Sequence, residues 1–174
     1  MELIRNTRER GRYLVNQYVR VVAMTSTHGI LKHEEFMSGG FHSGTIIFEE
    51  AGQLLDFETI APATFTSGVK RLILLGDDNQ LPPIVKNKLF QNIVNLQQSL
   101  FVRLLKLNYP TMTLKAQGRS RPEILELYKW KYDNLESLPH IKNDRIFDVP
   151  NIGFVHNYQF VDIDSQEVIS LSTH

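Results

Sequence analysis

The stretch TIIFEEAGQLL, residues 45–55, drives a short run of β-formers into two adjacent carboxylates, Glu49 and Glu50, followed by small residues. Two readings suit it. An ordinary strand can end at the surface, where acidic side chains are solvated. A strand can also deliver carboxylates to a site that holds a metal ion and activates water. Taken alone, the pair is compatible with either.

Working outward, RLILLGD (71–77) reads as a second buried strand, leading into GDDNQLPP (76–83). Between the two strands, AGQLLDFETIAPA (51–63) reads as a helix or helical turn that stops near Pro62. Upstream, VRVVAMTST (19–27) is a β-branched run suited to a buried parallel strand. HGILKHEEFMS (28–38) reads as a helix ended by Gly39 and Gly40. Residues 2–18 place Leu3, Ile4, Leu14 and Val15 among charges, as a helix with a break at Gly11. Downstream, FQNIVNLQQSLFVRLLKL (90–107) repeats Phe90, Val94, Leu100, Phe101, Leu104 and Leu105 at helical spacing. Strands alternating with helices make the class α/β with a parallel sheet.

The pattern restarts at NYPTMTL (108–114). TMTLKAQ (111–117) reads as a strand, RPEILELYKWKYDNL (121–135) as a helix with Pro122 in its first turn, and FVHNYQFVDI (154–163) as a last strand. The domain junction is placed at 107–112, giving units 1–107 and 108–174.

The composition excludes several classes. There is no cysteine, so there are no disulfides and no thiolate metal sites. Formal net charge is zero, so no overall basic field announces a nucleic acid, although a local groove is compatible with it. No apolar run is long enough for a membrane span, so no membrane partner is expected. His33, His42, His140, His156 and His174 lack metal-ligand spacing. The N-terminal arginines Arg5, Arg8, Arg10 and Arg12 alternate with Glu2 and Glu9, which reads as a solvated helix surface rather than an RNA-facing strip.

In a parallel α/β sheet, ligands bind beyond the carboxyl ends of the strands. If the strands of IIFEE and ILLGDDNQ are neighbours, Glu49, Glu50, Asp77 and Gln80 converge on one crevice. One carboxylate can hold magnesium, another can deprotonate water, and an amide can orient that water against a terminal phosphate. Gly76 allows close backbone approach.

FEEAGQ (48–53) resembles motif II, the Walker B segment, of superfamily 1 helicases, whose usual form begins with Asp. GDDNQLPP resembles motif III of that superfamily, GDxxQLPP. LKAQGRSRPEI (114–124) resembles its motif IV, QYRxxP. VVAMTSTHGILK, QSLFVRLL, LYKWKYDNLESLPHI and YQFVDID further resemble, in order, the intron-binding spliceosomal branch of that superfamily.

That resemblance implies an incomplete RecA-like sheet of the P-loop NTPase type. Residues 1–107 would be the second half of a first RecA-like domain and 108–174 the start of a second. It implies ATP and Mg2+ as cofactors, and a pre-mRNA intron as the RNA partner. Spliceosomal proteins would be further partners, and the location nuclear. By position, Glu49 is the magnesium-side acid, acting directly or through water, and Glu50 the catalytic base. Gln80 is the phosphate sensor, and Gly76 and Asp77 belong to the nucleotide site. Arg119 reaches across a cleft to the phosphates. Thr25, Ser26 and Thr27 contact the nucleic-acid backbone. Glu49 stands where Asp is usual. Gly118 stands where an aromatic is usual, so a base-stacking contact is absent.

No G-x-x-x-x-G-K-[ST] occurs in the 174 residues. In relatives that phosphate loop lies upstream of the matched region and further motifs lie downstream. The isolated chain is therefore expected neither to hydrolyse ATP nor to unwind RNA. A non-catalytic ribonucleoprotein scaffold derived from a helicase core is the alternative. A DNA-acting superfamily 1 helicase ranks third, because it lacks VVAMTSTH and LYKWKYDNL. Tyr128, Trp130 and Tyr132 do not share a helix face, so packing or partner contact is favoured over base stacking. His28 is read as capping or packing, and Arg121 as either a nucleic-acid contact or a helix-start surface residue. Pro82 and Pro83 are read as rigidifying the loop that carries Gln80.

Overall fold

A computed structural model describes residues 6–164, apart from Gly39 and Ser67. Leu3, Ile4 and Arg5, expected in the first helix, Gly39, expected to end the second, and His174 lie outside the described residues. The chain divides into two compact units, residues 1–111 and 112–174.

In the first unit, β1 (Thr45–Phe48) and β2 (Arg71–Leu74) form a parallel pair, in register from Thr45 opposite Arg71 to Phe48 opposite Leu74. The helix α4 (Asp56–Phe65) connects them, so this is a β-α-β unit. The ladder outlasts the strands. Arg71 N donates to Gly44 O at one end, and Leu75 N to Phe48 O (2.8 Å) and Ala51 N to Leu75 O (2.8 Å) at the other. Phe48, Ala51, Thr59, Ser99 and Leu100 are buried. The helix α4 packs against α2 (Ser26–Leu31) and α6 (Leu100–Lys106), and α6 also covers the turn after β1. Arg103 of α6 pairs with Asp56 at the start of α4 (3.0 Å), a half-exposed bridge worth at most about 1 kcal/mol.

Five expectations change here. The run 19–27 is not a strand. Val21 is 83% exposed, and Thr25 already caps α2. β-propensity needs a ladder partner, and the described residues offer that run none. The helix α1 (Thr7–Gln17) runs straight through Gly11, where a break was expected, because one glycine weakens a helix only by about 1 kcal/mol. The helix α4 continues past Pro62 to Phe65, and Thr66 N donates to Pro62 O. Proline removes its own donor, but its carbonyl still accepts. The expected helix 90–107 is two, α5 (Lys88–Ile93) and α6. Between them Asn95 takes a left-handed φ of 51°, and Ser99 caps α6 by accepting from Val102 N (3.2 Å). Asn and Ser compete locally with the helix for hydrogen bonds. The segment 28–38 is likewise interrupted, into α2 and α3 (His33–Ser38).

In the second unit, β3 (Ala116–Gln117) and β4 (Glu136–Ser137) pair in parallel. The helix α7 (Pro122–Glu126) begins with its proline and gives way to a 3-10 turn, Lys129–Lys131, so the helix expected over 121–135 is short. The helix α8 (Pro139–Asn143) buries Ile141, and α7 buries Leu125. The strand expected at 154–163 is absent from that described segment. Arg121 holds the segment 149–157 instead. Its guanidinium donates to Val149 O (2.6 Å), Asn157 O (2.9 Å) and Asn151 Oδ1 (3.2 Å). Arg121 is thus neither a free surface residue nor presented to a nucleic acid: its fork is spent on carbonyls of its own chain.

Replacing Arg121 with Met keeps the stem and removes the fork. Amide hydrogen exchange over residues 149–159 should then accelerate by about tenfold or more, as expected for loss of charge-assisted bonds. Unchanged exchange would show that the segment is held by other contacts.

Candidate functional site

The carboxyl ends of β1 and β2 lie side by side, because the strands are parallel, adjacent and in register. Glu49 and Glu50 follow β1, and Gly76, Asp77 and Gln80 follow β2, so the structure brings these five to one edge of one sheet.

Backbone contact joins the two ends. A Cβ on Gly76 would lie 2.9 Å from Gly52 N and 3.4 Å from Ala51 N, and a Cβ on Gly52 would lie 3.0 Å from Asp77 O. Gly76 therefore allows a close approach, but what approaches is the protein's own turn 51–53. Glu50 caps that turn with φ 53° and ψ 39°, a left-handed conformation that costs a side chain about 1–2 kcal/mol. Such conformations gather at functional sites. The tight 3-10 turn Ala51–Gln53 requires it, and Gln53 Nε2 approaches Glu50 Oε2 at 3.4 Å.

Asp77 organises the loop after β2. Its Oδ1 accepts from Asn79 N (2.9 Å) and its Oδ2 from Gln80 Nε2 (2.9 Å). The carboxylate thus orients the Gln80 amide while leaving the amide oxygen and one N–H for a ligand. Pro83 is fully buried, which anchors the far end of the same loop.

Thr25, Ser26 and Thr27 sit at the start of α2. Thr25 Oγ1 accepts from His28 N (3.2 Å), so its lone pair is used in capping, while its O–H can still donate. His28 supplies the donating N–H of that cap. A cleft of about 220 Å³ lies among α1, α2 and α3, floored by Val15, Phe36 and Phe41. It includes none of the residues at the strand ends.

Arg119 belongs to the second unit and is exposed. Gln117 shapes its loop: Gln117 Oε1 accepts from Arg119 N (2.8 Å) and Ser120 N (2.7 Å), and its Nε2 donates to Ser120 O and Ser137 Oγ (both 2.8 Å). Gly118 has a local reason too. A Cβ there would meet Leu138 Cδ1 at 3.0 Å and His140 Cε1 at 3.3 Å. An aromatic would displace both.

The family profile described as an AAA domain matches residues 4–88. RNA helicase aquarius of Mus musculus is 38% identical over 169 residues, 94% of this chain and 11% of that protein. NFX1-type zinc finger-containing protein 1 of Mus musculus is 36% identical over 149 residues, 84% of this chain and 8% of that protein. Helicase sen1 of Schizosaccharomyces pombe is 38% identical over 94 residues, 53% of this chain and 5% of that protein. The chain belongs to the superfamily 1 helicases. It spans about a tenth or less of the length of these curated relatives. Its small parallel sheets fit part of a RecA-like helicase domain.

Gln53 and Gln117 were not among the residues singled out in the sequence. Both carry a visible signal, a glutamine three residues from the polar partner it binds, Glu50 or Ser120.

Two substitutions test the strand-end geometry. Gly76→Ala should lower stability by about 1–3 kcal/mol, since the atom it would meet is backbone. Glu50→Gly should raise it by up to about 1 kcal/mol, and Glu50→Ala should not, because only glycine relieves the left-handed φ. Urea midpoints measure both, and equal midpoints for the two Glu50 variants would refute the strain.

Proposed function

We propose that this chain is part of an ATP-dependent RNA helicase that acts in pre-mRNA splicing, and therefore in the nucleus, with an intron and spliceosomal proteins as partners. Residues 1–107 would belong to one RecA-like domain and 108–174 to the next. The observation that carries the reading is the in-register pairing of β1 with β2, which sets FEE and GDDNQ at one sheet edge. The relatives' names, RNA helicase aquarius among them, supply the RNA and the helicase action.

The donor set suits the expected cofactors. Glu49 and Glu50 are exposed carboxylates, hard oxygen ligands of the kind that hold magnesium together with phosphate oxygens. No group of three or more candidate ligands is found among the described residues. Magnesium needs only one or two carboxylates when a nucleotide supplies the rest. Bound beside Glu49, it would neutralise phosphate charge.

The residues' own parts follow from their chemistry. Glu50 would accept the proton of the attacking water. Gln80, aimed by Asp77, would orient that water and sense the terminal phosphate. Arg119, held by Gln117 and carrying a permanent charge, would stabilise charge developing on the phosphoryl oxygens. Thr25, Ser26 and Thr27 would offer hydroxyl donors to the nucleic-acid backbone.

In the complete protein that carries these residues, Glu50→Gln should lower kcat for ATP hydrolysis by about 10²–10⁴-fold while nucleotide binding persists. Retained turnover would remove Glu50 from the role of base. The 174-residue chain alone should show no hydrolysis. Saturable, RNA-stimulated hydrolysis by it would overturn the expected inactivity, whereas a complete protein that never hydrolyses ATP would favour the scaffold.

A further inference from the structure

We infer that Trp130 is a stacking platform for single-stranded RNA, with Lys131 placed to meet the strand's phosphates. This rests on the reading of the chain as part of an RNA helicase and goes beyond it by naming a contact outside the helicase motifs.

The three aromatics of LYKWKY separate in the structure. Tyr128 and Tyr132 are half-buried and meet edge to face, 6.3 Å between ring centroids and 82° between planes. Their role is packing, as expected. Trp130 differs: it sits at the centre of the 3-10 turn Lys129–Lys131 and is 75% exposed. A tryptophan left in water forgoes one of the largest burial gains a side chain offers.

Its polar atom is already satisfied. The indole N–H donates to Leu127 O at 3.0 Å, which also fixes how the ring stands. A partner protein that anchors a tryptophan normally offers a pocket with an acceptor for that N–H. Here the ring has only its π-faces to offer, and with Lys131 Nζ over one of them the other is left for a nucleobase.

The neighbouring charge fits the same ligand. Lys131 Nζ lies 5.6 Å from the ring centroid. Lys129 is occupied by Glu126, at 2.6 Å, so Lys131 is the ammonium next to the ring that carries no such bridge among the described residues. A flat ring with an adjacent ammonium can engage a base and its phosphate together.

Trp130 is the single tryptophan of the chain, so its emission reports on this place alone. The 174-residue chain is titrated with a short oligouridylate. Trp130 fluorescence is followed, with the anisotropy of the dye-labelled oligonucleotide measured in parallel. We expect saturable quenching that tracks the anisotropy. Trp130→Ala should weaken binding by about 5- to 150-fold, and Trp130→Phe, which keeps a π-face, by less. Lys131→Gln should reduce the slope of log affinity against log salt by about 0.7. Circular dichroism checks that each variant is folded. If anisotropy rises while Trp130 emission stays constant and Trp130→Ala binds as tightly, RNA lies elsewhere; the inference fails and the RNA-helicase reading stands. If neither signal changes, the inference fails together with the proposed nucleic-acid contacts of Thr25, Ser26 and Thr27.

Discussion

The hydrogen bond from Ala51 N to Leu75 O, with the contact of Gly76 on Gly52 beside it, is the constraint on which the rest of the first unit depends. It continues the β1–β2 ladder past the end of regular pairing and locks two loops together through their backbones. The two loops meet backbone to backbone there, with the Phe101 ring also against Gly76. The acidic end of β1 and the glutamine loop after β2 are consequently one piece of structure. The left-handed Glu50 is part of the same closure, since the chain has to turn sharply there to bring Ala51 and Gly52 against Leu75 and Gly76.

The same economy recurs in the side chains. Asp77 spends both oxygens on its own loop, and Gln117 uses both ends of its amide on the loop that carries Arg119. In each case a polar residue next to the candidate functional residue holds the backbone or amide that presents it. Pre-organisation of this kind limits what has to be ordered when a ligand arrives. It also explains why Asp77 and Gly76, placed in the nucleotide site by resemblance, are occupied with internal contacts.

The parts legible in the sequence were those with local causes. TIIF and RLIL paired because each is a short β-forming run bounded by turn residues, with a helix-length segment between them. The caps of α2 and α6 also have local causes, in Thr25 and Ser99, although the sequence reading puts Thr25 in a strand and Ser99 inside a helix. Other misread parts depended on a partner. VRVVAMTST has the composition of a strand but finds no ladder to join among the described residues. FVHNYQFVDI follows Arg121 rather than a sheet. The rings of LYKWKY, read as not sharing a helix face, do divide: Tyr128 and Tyr132 pack while Trp130 is exposed.

What the sequence by itself determined is the motif set: two carboxylates at a strand end, GDDNQLPP after the next strand, and AQGRSRP beyond the junction, enough to indicate the helicase family and an α/β parallel arrangement. These are encoded in residue type and spacing, which need no tertiary context to be read. What only the tertiary structure decided is which atoms are already committed. Whether a glycine makes room for a ligand or for the protein's own backbone, whether an arginine reaches outward or ties down its own chain, and which of three aromatics is left exposed, are settled by contacts between residues distant in the chain. Local propensity carries no information about those contacts, because their energies arise only once the folded backbone brings the partners within hydrogen-bonding or van der Waals reach.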